Sequence, residues 1–156
     1  MKKAMPAGRQ GFVLVELIIV VGIIATLFTI GYVRVIDIQR RVPLNATVDT
    51  LVADLRGQQT KAMTGETEGV GGPDSYGIAF QATSYTLIPT NAVVTLPTNI
   101  TFSAVTFPDA SVVFTNGSGD VGAYTDGANT VTITQTLTGE HKTITVNRYG
   151  SVTSVQ

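Results

Sequence analysis

The chain has 156 residues, 10 Lys+Arg, 11 Asp+Glu, one His and no Cys, a length for one domain or one domain with an appendage. With 44% hydrophobic and only 13% charged residues it is not a solvated disordered tail. The absence of cysteine excludes disulfide scaffolds, zinc fingers and thiol nucleophiles, and the lone His141 removes imidazole-based metal clusters.

The distribution of these residues is uneven. Residues 1–11 are short and basic, with Lys2, Lys3 and Arg9 and no acid. From Phe12 to Val33 the only charge is Glu16. As a helix these 22 residues would span ~33 Å, enough for a bilayer core of about 30 Å. The positive leader predicts a cytoplasmic N-terminus and an outward C-terminal body. A cleaved secretory signal would have a shorter apolar core followed by a small-x-small site. Here the core is followed by Arg34-Val35-Ile36-Asp37, so a retained single-pass anchor is predicted.

Glu16 needs a reason for lying in this run. One reading places it at headgroup level, near one end of the span, where a charge costs less than at mid-helix. The other gives it a positive partner. A chain cut after Gly11 would carry a new α-amino group on Phe12, positive near neutral pH because such a group has a pKa of about 8. Glu16 lies four residues on, one helical turn away, and could meet its own amine or a neighbour's.

Gly11-Phe12-Val13-Leu14-Val15-Glu16, between a basic leader and an apolar helix, resembles the prepilin signature of type IV pilins and type II secretion pseudopilins. The resemblance implies cleavage after Gly11 by a membrane-embedded prepilin peptidase, N-methylation of Phe12, and Glu16 as the assembly glutamate. Val13 replaces the threonine common there. It also implies partners: other pilin subunits, or copies of the chain itself, through the N-terminal helix; an inner-membrane assembly platform; and the membrane before assembly. The expected location is then single-pass in the inner membrane with the body outside, and afterwards an extracellular filament.

Beyond the span, Leu44, Val48, Leu51, Leu55 and Ala62 recur at helical spacing with Asn45, Asp49, Asp54, Arg56 and Lys61 between them. This predicts an amphipathic helix to about Met63 with its stripe packed on the chain's own sheet. Pro43 predicts a kink or break near Val42. The breaker cluster over 65–74 ends the helix as a loop. It lacks the lysine and serine or threonine of a phosphate-binding loop, so no nucleotide site is read there.

The remainder is threonine-rich and strand-like. Tyr76–Phe80 and Ser84–Ile88 predict a hairpin, followed by strands over 100–105 and 111–115. Val131, Ile133 and Leu137 alternate with threonines, as do Ile144 and Val146, which predicts half-buried antiparallel strands. Thr138-Gly139-Glu140-His141 predicts a turn with His141 solvated, and 151–155 a short closing strand. The Asp/Asn/Gly turns at 116–120 and 126–129 need no metal to explain them. The tripeptides beginning at Asn45, Asn99 and Asn116 match a glycosylation acceptor, without significance on the bacterial-type export route that the leader implies.

The stretches Leu96–Phe102, Val112–Gly117 and Ile144–Val152 look like the body of H-type minor pseudopilins. The expected fold is therefore α+β and pilin-like: a long N-terminal helix, half transmembrane and half amphipathic, packed on a C-terminal antiparallel β-sheet domain. The boundaries read as a leader over 1–11, an apolar assembly helix over 12–33, an amphipathic continuation over 34–64 and a β domain over 65–156. The expected function is that of a structural subunit of an extracellular type IV pilus or type II secretion pseudopilus. The alternative is a minor tip pilin acting as an adhesin or binding module. From Val42 onward four Lys/Arg stand against nine Asp/Glu, a net of −5, which disfavours nucleic acid as a partner. With no Gly-x-Ser-x-Gly elbow and no carboxylate pair in a recognisable context, no enzymatic activity and no cofactor are expected.

Overall fold

Helix α1 runs from Gln10 to Thr64 in a computed structural model that describes residues 10–67 and 75–156, with side chains of α1 described over 14–28 and 43–64. Two compact units divide the chain, Met1–Arg40 and Arg41–Gln156. The helix is unbroken at Gly22, Gly31 and Pro43, so the break expected near Val42 does not occur. Pro43 withdraws one backbone donor from the helix. Its own carbonyl accepts from the Thr47 hydroxyl at 2.7 Å, and the adjoining Leu44 is 1% exposed.

In the second unit the helix ends for a local reason. Gly65 adopts φ 64°, its N–H donates to the Ala62 carbonyl, and the Glu66 N–H donates to the Lys61 carbonyl. This is the glycine-terminated C-cap that satisfies otherwise orphaned carbonyls. Ala62 accepts a second bond, at 2.9 Å, from the Gly117 N–H.

The strands are β1 (Tyr76–Gln81), β2 (Ser84–Ile88), β3 (Ala92–Thr95), β4 (Ile100–Val105), β5 (Ser111–Phe114), β6 (Thr130–Gln135), β7 (His141–Val146) and β8 (Val152–Val155), with a 3₁₀ turn at Pro108–Ala110 before β5. They form two four-stranded antiparallel sheets, ordered β3-β2-β1-β5 and β4-β6-β7-β8. The fold is thus α+β, with two helices counting the 3₁₀ turn. The single sheet expected from the sequence is two, because β4 leaves the first group of strands to pair with β6.

The sheets meet at the β1–β2 turn. The Phe102 N–H donates to the Ala82 carbonyl and the Leu96 N–H to that of Thr83, each at 2.9 Å. Across this seam Phe80 meets Phe102 edge-on at 5.3 Å, and Tyr85 meets Phe102 edge-on at 6.3 Å. Contacts of this geometry contribute about 0.5–1.5 kcal/mol each beyond their buried area.

The stripe Leu44, Val48, Leu51, Leu55 and Ala62 is buried in one core with Tyr76, Ile78, Val112 and Phe114 of the first sheet and Ile100, Val131, Ile133 and Ile144 of the second. Alternate residues of β6 and β7 face away from it. There threonine hydroxyls bond to one another across strands, Thr132 to Thr143 at 2.9 Å and Thr106 to Thr130 at 3.1 Å. Ser103 likewise bonds Thr134 at 2.7 Å.

Among the described residues, no helix is long and apolar enough to cross a membrane. The transmembrane half-helix expected over 12–33 is therefore corrected. The single-pass inner-membrane location with an outward body falls with it.

Gly150 ties the C-terminal turn to the helix. At φ 76°, an added Cβ would sit 2.5 Å from Gln59 Nε2 and 2.6 Å from the Gly119 carbonyl. Gln59 Nε2 itself donates to the carbonyls of Tyr149, at 2.6 Å, and Gly119, at 3.2 Å. Gly150→Ala combines left-handed strain with a backbone clash and is expected to cost about 2–4 kcal/mol, read by denaturant unfolding.

Candidate functional site

Glu16 is the anticipated site residue whose side chain is described. It is exposed and lines a groove of about 240 Å³ with Val15, Ile19 and Val20. Val15 and Ile19, like Glu16 and Val20, are four apart and so neighbours on the helix surface. Gly11 and Phe12 fall in the first turn of α1, but their side chains lie outside the described residues, as does most of the leader expected over 1–11.

Around Glu16 the helix exposes apolar surface on every side. Leu14, Val15, Leu17, Ile18, Ile19, Val20, Val21, Ile23, Ile24, Leu27 and Phe28 are each 46–76% exposed. A contiguous apolar surface of this extent is larger than a monomeric soluble protein usually exposes. Burying eleven such side chains would contribute on the order of 20 kcal/mol, at about 1.5–3 kcal/mol each, before the cost of ordering partners is subtracted.

A different chemistry occupies one end of the second unit, where a cavity of about 420 Å³ is lined by Thr115, Asp120, Val121, Gly122, Tyr124 and Arg148. Turn chemistry alone is expected of the 116–120 stretch, and no local pattern marks Tyr124 or Arg148. Three backbone bonds assemble it: Thr115 N–H to the Asp120 carbonyl at 2.7 Å, Val121 N–H to that of Arg148 at 2.9 Å, and Gly122 N–H to that of Val113 at 2.9 Å. The Val121–Arg148 bond joins segments nearly thirty residues apart, which no local pattern announces.

Among the described residues, no three His, Asp or Glu side chains converge to hold a metal ion. His141 opens β7 rather than sitting within a turn; its ring is exposed, with Nδ1 3.5 Å from the Gly139 carbonyl. Nothing positions it beside a nucleophile.

The strongest titration effect belongs to Tyr85. Its hydroxyl donates to Asp54 Oδ2 at 2.5 Å, linking β2 to α1. Burial, then the hydrogen bond to Asp54 and the carboxylate's negative charge, raise the phenol well above its ordinary value. A phenol held protonated in the core next to a carboxylate is a latch between helix and sheet, not a base.

Compared with family models, curated proteins and solved structures, the chain matches none.

Because folded Tyr85 keeps its proton to higher pH than the unfolded residue, its contribution is complete below about pH 10 and is lost as pH rises beyond it. Tyr85→Phe is expected to lower stability by about 1–3 kcal/mol near neutral pH. It should also flatten the alkaline decline, as measured by unfolding at a series of pH values.

Proposed function

We propose that the chain is a structural subunit of a helical filament of the type IV pilus or type II secretion pseudopilus kind, cut after Gly11, methylated on Phe12 and assembled through the N-terminal part of α1. The observation that carries this reading is the eleven exposed apolar side chains around a single carboxylate. Such a surface needs neighbours, and identical helices offer the same chemistry to one another. Apolar contact alone has little preference for one axial position over another. A Phe12 amine meeting Glu16 of an adjacent subunit supplies that preference, since opposite charges in apolar surroundings attract strongly over a short range.

The motif Gly11-Phe12 followed at a fixed offset by Glu16 supports the same reading. Its processing partner is a prepilin peptidase and its assembly partners are subunits with matching helices. The H-type likeness of the body favours a minor pseudopilin over the bulk subunit.

Mass spectrometry of sheared filaments is expected to find an N-terminal peptide beginning at N-methylated Phe12. Chains that still begin at Met1 while the peptidase is active would sink the proposal. Glu16→Gln removes the charge and keeps the shape. It should leave the body folded, as read by circular dichroism, while reducing recovery in filaments roughly tenfold or more; undiminished incorporation would remove Glu16 from its assembly role.

A further inference from the structure

We propose that the cavity bounded by Thr115, Asp120, Tyr124 and Arg148 is a saccharide-binding site. Its volume of about 420 Å³ lies within the ~300–1,000 Å³ usual for small-ligand sites and suits one or two sugar rings. The lining is dominated by polar groups, which fits a polyhydroxylated ligand better than an apolar one.

The charges in the cavity are complementary to vicinal hydroxyls. A carboxylate accepts hydrogen bonds and a guanidinium only donates them, so adjacent sugar hydroxyls can give to Asp120 and receive from Arg148. Among the described residues these two groups form no ion pair with each other, although they line the same cavity. Charges that had collapsed together would have little left for a ligand.

The remaining groups are held in place for contact. Asp120 is pinned through its backbone, its carbonyl bonded to Thr115 N–H at 2.7 Å and its N–H donating to Ser118 Oγ at 3.3 Å. Asn129 Nδ2 donates to the Tyr124 hydroxyl at 3.3 Å and to the Val146 carbonyl at 2.8 Å. The Tyr124 oxygen is thereby oriented while its own proton remains to be donated. Beside the cavity, Tyr149 is 62% exposed, and the Arg148 guanidinium lies 5.7 Å from the centre of its ring. The guanidinium covers one face of this ring, and the other is the kind of surface that the C–H face of a pyranose packs against.

This site belongs to the second unit and does not depend on filament assembly. The test uses the full chain, dispersed in a sugar-free non-ionic detergent because of the exposed apolar residues of α1. Saturation-transfer NMR is recorded with methyl glycosides of glucose, galactose, mannose and N-acetylglucosamine and with lactose, maltose and cellobiose. At least one of these is expected to bind, with Asp120→Asn and Arg148→Gln each weakening it roughly tenfold or more. Circular dichroism should leave both variants folded. Tyr124→Phe, which removes a single hydroxyl, carries the test if either does not fold and should weaken binding severalfold. No transfer to any sugar at ~10 mM overturns the proposal. Binding untouched by the variants, or binding of free glycine in place of every sugar, overturns it equally.

Discussion

The body depends on one helix stripe being covered by two small sheets. The two four-stranded sheets share one core with the helix, and no disulfide joins them. Leu44, Leu51, Leu55 and Ala62 are at most 1% exposed, and they provide the apolar surface both sheets need. Side chains of this kind contribute about 1.5–3 kcal/mol each when fully buried. The polar ties at Tyr85–Asp54 and Gln59–Tyr149 add direction to that burial. They set the helix's position along the sheets, which apolar contact alone leaves loose.

The same helix therefore has two kinds of surface. In one stretch an apolar stripe is consumed by the fold, and in the other apolar residues remain exposed all round. A sequence that only needed to stabilise its body would have no use for Leu14, Ile18 or Phe28 in solvent. They leave this part of the helix with an apolar surface that the body does not cover, interrupted by the exposed Glu16. The polar cavity shows the opposite character: Asp120 and Arg148, of a charge type scarce in the body, line it together.

Much of this was legible in the sequence. The helix stripe followed from spacing, and the alternation in β6 and β7 followed from threonines between Val131, Ile133, Ile144 and Val146. What was not legible depended on distant pairing. The sequence does not signal β3, because Ala92–Thr95 become a strand only when Ser84–Leu87 of β2 pair with them. Gln58 and Gln135 sit where the apolar pattern continues, and both are at most 5% exposed. Local pattern gives no warning of polar groups there. The local break expected near Val42 is absent, α1 running on through Pro43. The cavity was invisible because Arg148 joins Thr115 and Asp120 from a turn nearly thirty residues further along the chain.

The order in which strands join the sheets has a kinetic consequence. Three strands enter the first sheet, β4 goes to the second, β5 returns to the first, and the last three complete the second. The first sheet is incomplete until β5, and the second until β8. β1 keeps an open edge until β5 arrives, and β4 has no partner of its own until β6. Pairings of such long sequence separation incur their loop-closure entropy early and are compensated late, which makes for slow, all-or-none folding. The interleaving makes the body a single cooperative unit, and an incomplete chain offers β1's unpaired edge to any other strand nearby.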